Sequence, residues 1–149
     1  MEDAVDRLEL RELVERYALG ADSRDRLVFG GAFTEDGVLA TSTGRTYDGR
    51  DAVVSTLDHL DAHYPRSMHF VGNHQVQLDG DAATGLVYCL AHHVYARDGE
   101  DRDTLMVIRY RDEYRRTVDG WRISRRSLQI DWQEDRPLVV NPGGSASDR

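Results

Sequence analysis

The chain has 149 residues, a length that predicts one compact domain. Its 27 Asp and Glu outnumber 19 Lys and Arg, and the formal charge of −8 disfavours nucleic acid and anionic membrane surfaces as partners. Cys89 alone cannot form an intrachain disulfide. The sequence shows neither a signal-peptide pattern nor an apolar run near the ~20 residues that span a bilayer, so we expect a cytoplasmic protein.

The first predicted helix, over residues 3–21, carries a single apolar stripe. Its members recur at spacings of three and four: Leu10, Leu13, Val14, Tyr17, Ala18 and Ala21. Asp22 follows Ala18 by four residues and therefore shares this face, although it can also be read as a cap of the next helix. A buried carboxylate is costly unless a donor or positive charge meets it. We expect that partner to be His69.

Two further helices and a short strand are predicted before the chain turns to strands. The second helix, capped by Ser23 or Asp25, is expected to run through Phe33 and to be stopped by residues 34–37. A short strand follows at residues 38–43. A third helix is predicted over residues 49–64, with an apolar face and a proline directly after it.

Four long strands are predicted next, at residues 67–78, 83–96, 104–117 and 121–132, separated by polar turns. Helices and strands are segregated rather than alternating. This favours an α+β fold, with a curved, mixed but mostly antiparallel sheet wrapped around the N-terminal helices. We expect a single domain over residues 1–136 and a flexible C-terminal tail over residues 137–149.

The second long strand contains two adjacent histidines that must face opposite ways. Period two puts Val87, Cys89, Ala91 and His93 on one face and His92 on the other. Because the small side chains of Cys89 and Ala91 leave room for a cavity, we favour His93 as the pocket-facing histidine. His92 remains the alternative, since one bulge would reverse the assignment.

Several short motifs resemble, in their order and spacing, the SnoaL-like branch of the nuclear transport factor 2-like superfamily. They are YALGAD at residues 17–22, FTEDG at 33–37, YDG at 47–49, HFVGN at 69–73, DGD at 79–81, and YRDEY at 110–114 followed by DGW at 119–121. The resemblance covers about residues 5–134. It implies a cone in which a bent sheet wraps a long helix and leaves a pocket at the open end, but it leaves the reaction open.

Within the superfamily, the dehydratases and dehydrochlorinases are the nearest in appearance. They pair an aspartate late in helix 1 with a histidine early in the first long strand, and Asp22 and His69 match those positions. Bile-acid dehydratases also have a tyrosine where Tyr17 lies. Scytalone dehydratase uses a second pocket histidine on the next strand, where this chain has His92 and His93. No equivalent of the carboxylate base of ketosteroid isomerase is found, which disfavours steroid isomerisation.

The proposed pair suits an elimination reaction. Imidazole has an unperturbed pKa near neutrality, so His69 would act as the base. Asp22 would accept a hydrogen bond from the ring, fix its tautomer and stabilise the imidazolium. A leaving hydroxide or a developing enolate needs a donor, for which Tyr17 is the first choice and Tyr47, Tyr110 or the second histidine are alternatives.

Five residues are predicted to contact a substrate: Tyr47, Cys89, Ala91, Tyr110 and Arg126. Arg126 would do so if it points inward, where it could orient an anionic substrate. Each has a plainer alternative. The tyrosines can be packing residues, Cys89 an inert buried thiol, and Arg126 part of a solvated or dimer-facing arginine-rich surface.

His59 and His63 lie four residues apart on the third helix and can both reach one metal ion. No third ligand stands at an obvious spacing, and the motif lacks the glutamate of a zinc-protease helix. We therefore predict neither a metal nor another cofactor.

The leading functional hypothesis is a cofactor-independent lyase of the dehydratase type that acts on a small, hydrophobic, oxygenated molecule. A SnoaL-like cyclase or isomerase would use the same pocket on an enolisable carbonyl compound. A small-molecule-binding or assembly protein without turnover is the alternative from another class. The resemblance also implies a homodimer that forms through the exposed face of the sheet.

Overall fold

A computed structural model describes residues 2–141 of the chain. Helices at the N-terminus precede a sheet whose last four strands are long. The elements are α1 (Glu2–Ser23), α2 (Arg26–Gly31), β1 (Phe33–Ala40), β2 (Thr46–Asp48), α3 (Arg50–Val54), α4 (Thr56–His63), β3 (Arg66–Asp79), β4 (Ala82–Arg97), β5 (Glu100–Thr117) and β6 (Gly120–Pro137).

The six strands form one sheet in the order β2-β1-β6-β5-β4-β3. Strands β3 to β6 pair antiparallel in sequence, β2 pairs antiparallel with β1, and β1 runs parallel to β6. The predicted mixed, mostly antiparallel α+β fold is therefore confirmed. Helix α1 contacts both β3 and β6, which two strands separate, so the sheet curves around the helix.

The core lies between α1 and the concave face of the sheet. All six residues of the predicted helical stripe are buried, and the Tyr17 ring lies 4.9 Å from the Phe29 ring of α2. The sheet contributes inward-facing residues at period two. They are Ala83, Val87, Cys89, Ala91, Ile108, Tyr110, Tyr114, Trp121 and Ile123.

An irregularity in β3 is held against α1 by one arginine. The register of β3 on β4 shifts between Val71 and His74. Arg11 of α1 donates to the backbone carbonyl oxygens of Gly72 at 2.5 Å and Val71 at 3.1 Å. A bulge leaves backbone groups without a ladder partner, and the guanidinium satisfies two of them. This contact fixes the strand that carries His69 against the helix that carries Asp22.

Two predicted helix boundaries are wrong, because strand pairing and side-chain hydrogen bonds that determine them do not show in the local periodicity of the sequence. Residues 33–37 do not end a helix but begin β1, because Phe33 pairs in parallel with Ile123 and its side chain is buried. The single third helix is wrong as well. It divides into α3 and α4 at Ser55, whose hydroxyl donates to the carbonyl oxygen of Ala52. Such local hydrogen bonds compete with regular helix geometry.

The four long strands are confirmed, and each is longer than predicted, most of all β6, which continues to Pro137. The expected tail begins at Pro137, which is still part of β6, and residues 142–149 lie outside the described range. Among residues 2–141, no helix combines the length and apolar character needed to cross a membrane.

Gly20 marks the tightest helix contact, and its substitution tests the packing of α1 on α2. A Cβ at Gly20 would lie 2.5 Å from the backbone nitrogen of Phe29, whereas a Cβ at Gly31 meets nothing within 4 Å. Gly20→Ala is therefore expected to lower the free energy of unfolding by about 1–3 kcal/mol, measured by urea denaturation. Gly31→Ala is the matched control and should change it by no more than about 0.5 kcal/mol. Equal stability of the two variants would contradict this packing.

Candidate active site

Asp22 and His69 form a close pair at the end of α1 and the beginning of β3. The His69 ring nitrogen Nδ1 lies 2.7 Å from Asp22 Oδ1. The backbone N–H of His69 donates to Asp22 Oδ2 at 2.8 Å. The carboxylate thus contacts both the ring and the main chain of the same residue, which fixes the position of the strand as well as that of the imidazole.

The environment keeps Asp22 ionised. Burial acts to raise its pKa, but the hydrogen bonds and charge of His69, together with the Ser67 hydroxyl, outweigh burial and lower the pKa below its usual value. Ser67 Oγ donates to Asp22 Oδ1 at 2.9 Å. An ionised carboxylate can only accept hydrogen bonds, so His69 Nδ1 carries a proton. In the neutral tautomer with this proton on Nδ1, the lone pair lies on Nε2, which can then take a proton.

His93 lies beside the pair on the concave face. Its ring centroid is 5.5 Å from that of His69, with the two rings nearly perpendicular. Burial, followed by the nearby charge of His69, lowers the pKa of His93 to about 4, so the ring is neutral at pH 7. His92 faces the opposite side, where its Nδ1 lies 2.6 Å from Asp103 Oδ2. The predicted alternation of this strand is confirmed.

The surroundings of the pair are partly apolar and partly open. The His69 side chain is 7% exposed and that of Asp22 is 24% exposed, so solvent reaches the pair from the carboxylate side. His69, Ala91 and Met106 are in register across β3, β4 and β5, and Met106 is half-buried. The Tyr64 ring, directly after α4, lies 4.9 Å from the His93 ring. Five surface clefts on the described part of the chain lie elsewhere, and neither Asp22 nor His69 lines any of these five.

Arg126 points inward, as one reading of the sequence required, but its charge is already neutralised. Its Nε and Nη2 donate to the two oxygens of Asp112 at 2.8 and 2.6 Å, and both side chains are fully buried. The guanidinium lies between the Tyr17 and Tyr110 rings, 4.2 and 4.1 Å from their centroids. The expectation that Arg126 orients an anionic substrate is therefore corrected, because its charge is neutralised by Asp112.

The other predicted contact residues lie in the wall rather than at an open surface. Cys89, Ala91 and Tyr110 all have almost no accessible surface. Burial raises the pKa of the Cys89 thiol to about 11, so the residue stays a neutral thiol. Tyr17 is buried too, and burial raises its pKa. Tyr47 is half-buried on β2, with Arg45 over its ring at 4.7 Å. Their substrate roles remain predictions.

Four residues near the site were not singled out as site residues in the sequence: Ser67, Arg24, Tyr64 and Asp112. Ser67 carried a usable signal, because it precedes His69 by two residues in a strand and so shares its face. Asp112 carried one too, since it shares a face with Tyr110. Arg24 carried none, because it reaches the site from a left-handed backbone conformation just after α1, with φ of 57°.

No group of three or more His, Cys, Asp or Glu suited to a metal ion occurs among residues 2–141. The His59 and His63 rings lie 4.2 Å apart on the exposed side of α4, and His63 Nδ1 is 2.9 Å from the His59 carbonyl oxygen. The pair therefore has no third ligand among the described residues.

The buried neutral state of His93 predicts an acid-dependent loss of stability. Its pKa is about 4 in the folded chain and near 6.5 when unfolded, so unfolding binds protons between these values. The free energy of unfolding should therefore be highest above pH 6.5 and fall toward pH 4, by roughly 3 kcal/mol at most from this residue. Urea denaturation against pH measures it. His93→Gln should show a smaller fall, and the exposed His63→Gln should behave as the parent. A parent-like profile for His93→Gln would contradict the assignment.

The comparisons with known proteins agree with this architecture. Residues 2–127 match the family model of the SnoaL-like domain. An uncharacterised protein of Mycobacterium tuberculosis, Rv2910c, is 33% identical over 123 residues, which are 81% of this chain and 82% of that protein.

Two solved structures share the fold at lower sequence identity. One is a candidate scytalone dehydratase from Novosphingobium aromaticivorans, with a TM-score of 0.82 and 22% identity over 97% of this chain and 98% of that one. The other is hexachlorocyclohexane dehydrochlorinase LinA-type3 from Novosphingobium barchaimii, with a TM-score of 0.82 and 17% identity over 94% and 97%. The family model over residues 2–127, the 33% identical relative and the shared fold agree: the chain belongs to the SnoaL-like domain family within the nuclear transport factor 2-like fold.

Proposed function

We propose that the protein is a cofactor-independent lyase of the dehydratase type, acting on a small, hydrophobic, oxygenated molecule. The observation that carries the proposal is the 2.7 Å contact between Asp22 and the His69 ring. It lies at the partly open end of an otherwise packed, apolar core. An ionised carboxylate that holds Nδ1 leaves Nε2 as a base, the arrangement that general-base catalysis needs.

In the proposed reaction, His69 Nε2 takes the proton from a carbon next to a carbonyl group. The electrons of that C–H bond form the carbon–carbon double bond, and the electron pair of the C–O bond leaves with the oxygen. The imidazolium returns its proton to the departing hydroxide, so that water is released and His69 is neutral again. Asp22 stabilises the imidazolium between the two steps.

Hydrogen-bond donors near the pair would stabilise the enolate that develops on the carbonyl oxygen. His93 is neutral at pH 7, so one of its ring nitrogens carries a proton. Tyr17 retains its hydroxyl proton because burial raises its pKa. The Nδ1 of His93 lies 3.4 Å from the Thr104 carbonyl oxygen, so that oxygen accepts the ring's single proton. We therefore assign the donor role to Tyr17. His93 is the second candidate, because its ring lies 5.5 Å from the ring of His69.

The fold relatives support an elimination. A dehydratase expels water and a dehydrochlorinase expels hydrogen chloride, and both reactions require a proton to be taken from carbon. A cyclase or isomerase would use the same base without a leaving group, so product analysis separates these reactions. A binding protein without turnover would retain a ligand and release it unchanged.

The proposed assembly is a homodimer formed through the outer face of the sheet. Phe70, Leu90, Val107 and Trp132 are in register across four strands, and three of them are strongly exposed. They line a cleft of about 280 Å³. Contiguous exposed apolar side chains in a row of this kind are typical of protein interfaces.

The catalytic proposal predicts that substitution of either Asp22 or His69 lowers kcat strongly. His69→Ala and Asp22→Asn should each lower kcat about 10³-fold or more on a panel of β-hydroxy ketones, monitored by the absorbance of the enone product. His92→Ala is the matched control, because it removes an equally close Asp–His pair from the other face of the sheet. Full activity of His69→Ala would contradict the proposal, and so would equal loss in His92→Ala.

The dimer proposal predicts a mass change from one surface substitution. The parent should have about twice the 16.9 kDa of the chain in sedimentation or light scattering. Leu90→Asp places a charge in the apolar row and should give the monomer mass. Leu27→Asp is the control, since Leu27 is 88% exposed on α2, away from this face. A monomeric parent would refute the assembly.

A further inference from the structure

Arg24 and Ser67 form a second layer behind the catalytic pair. Arg24 follows α1, and its side chain is 7% exposed. Its Nη1 donates to Ser67 Oγ at 2.8 Å and also to the carbonyl oxygen of Ala21. Ser67 Oγ in turn donates to Asp22 Oδ1 at 2.9 Å. A continuous row of hydrogen bonds therefore runs from Arg24 through Ser67 to Asp22 and the His69 ring.

The direction of this row is determined by the chemistry of its first member. A guanidinium has only donors, so the Ser67 oxygen must accept from it. The single proton of the hydroxyl is then free to point only toward Asp22. Asp22 Oδ1 consequently receives two donors, Ser67 Oγ and His69 Nδ1, and both favour the ionised carboxylate. Without Arg24, the Ser67 hydroxyl could rotate and accept instead.

The same arginine holds the end of α4. Its Nη2 donates to the carbonyl oxygen of Tyr64 at 2.7 Å, and its Nε lies 3.3 Å from the carboxylate of Asp61. Tyr64 places its ring against His93. One side chain thus connects the last turn of α1, the end of α4 and the beginning of β3. The planar fork of arginine can bind these groups together, whereas the single ammonium of a lysine cannot.

We propose that Arg24 and Ser67 are positioning residues for the reaction: together they orient the Asp22 carboxylate and hold His69 in the tautomer whose Nε2 is the base. A positioning role in catalysis rests on the proposed function, whereas the test of the hydrogen-bond network does not. Neither residue touches the atoms that react. Both act through Asp22, and Arg24 also sets the position of Tyr64 beside the second histidine.

The test is a pair of NMR readouts that need no substrate. The first is the pKa of the Asp22 carboxyl, followed by its carbon chemical shift. The second is the exchange rate of the hydrogen-bonded proton on His69 Nδ1. In Arg24→Gln and in Ser67→Ala, the Asp22 pKa should rise by about one unit and the proton should exchange about tenfold faster. Arg24→Lys should restore part of the shift, because lysine can still donate to Ser67.

Two controls separate this role from general stability. Arg26→Gln removes a neighbouring ion pair to Asp58 of α4 and should leave both readouts unchanged. The His92–Asp103 pair, at 2.6 Å on the other face, serves as an internal reference in every spectrum. Should Arg24→Gln fail to fold, Ser67→Ala alone decides, since it removes only the hydroxyl.

The proposal is overturned if the folded variants keep the parent Asp22 pKa and exchange rate, or if Arg26→Gln changes them equally. If the variants show these shifts but the parent protein turns over no β-hydroxy ketone, the hydrogen-bond network is supported and the proposed reaction is refuted. The two failures are therefore distinguishable.

Discussion

The structure around the site depends on one constraint: a carboxylate at the end of a core-facing helix must be satisfied by donors. Asp22 lies where the apolar stripe of α1 reaches the beginning of β3, and leaving it there without partners would be costly. Three donors meet it, from the backbone and the ring of His69 and from the hydroxyl of Ser67. Each of them is on β3, so satisfying the charge also docks the strand on the helix.

This constraint explains how two histidines 5.5 Å apart have different properties. His69 has an ionised partner 2.7 Å from its Nδ1, which favours the tautomer that carries a proton on this nitrogen. The His93 ring faces a backbone carbonyl instead, with Nδ1 3.4 Å from the oxygen of Thr104, and burial lowers its pKa to about 4. The two rings therefore differ in the group that holds Nδ1, which is the Asp22 carboxylate for His69 and the Thr104 carbonyl oxygen for His93. The fold achieves this by placing them on neighbouring strands of one concave face.

A second buried charge is treated in the opposite way. Arg126 donates through Nε and Nη2 to the two carboxylate oxygens of Asp112, and its guanidinium lies between two tyrosine rings. Such a pair leaves no net charge in the core, and its geometry is bidentate. The deep part of the cone is therefore closed and neutral, whereas the open part carries the charge of Asp22. Under the proposed function, this contrast suits an uncharged substrate that approaches from the Asp22 side.

Much of this arrangement was predictable because it follows from short-range periodicity. The α1 stripe, the four long strands and the opposed faces of His92 and His93 all follow from spacings of 3.6 and 2 residues. The contact between Asp22 and His69 was predictable from the resemblance, which places an aspartate and a histidine at these two positions. Neither residue is distinctive by itself. Residues 33–37 were misread because their strand pairs in parallel with β6, far along the chain. The role of Arg24 depends on a left-handed residue after a helix, which no local pattern indicates.

Neutron diffraction from deuterium-exchanged crystals at pH 7 would test the central claim most directly, because it locates the deuterium on each ring nitrogen of His69. We predict deuterium on His69 Nδ1, between the ring and an Asp22 carboxylate that carries none. Deuterium on Nε2 with a bare Nδ1, or deuterium on the Asp22 carboxyl, would contradict it, since His69 could not then serve as the base.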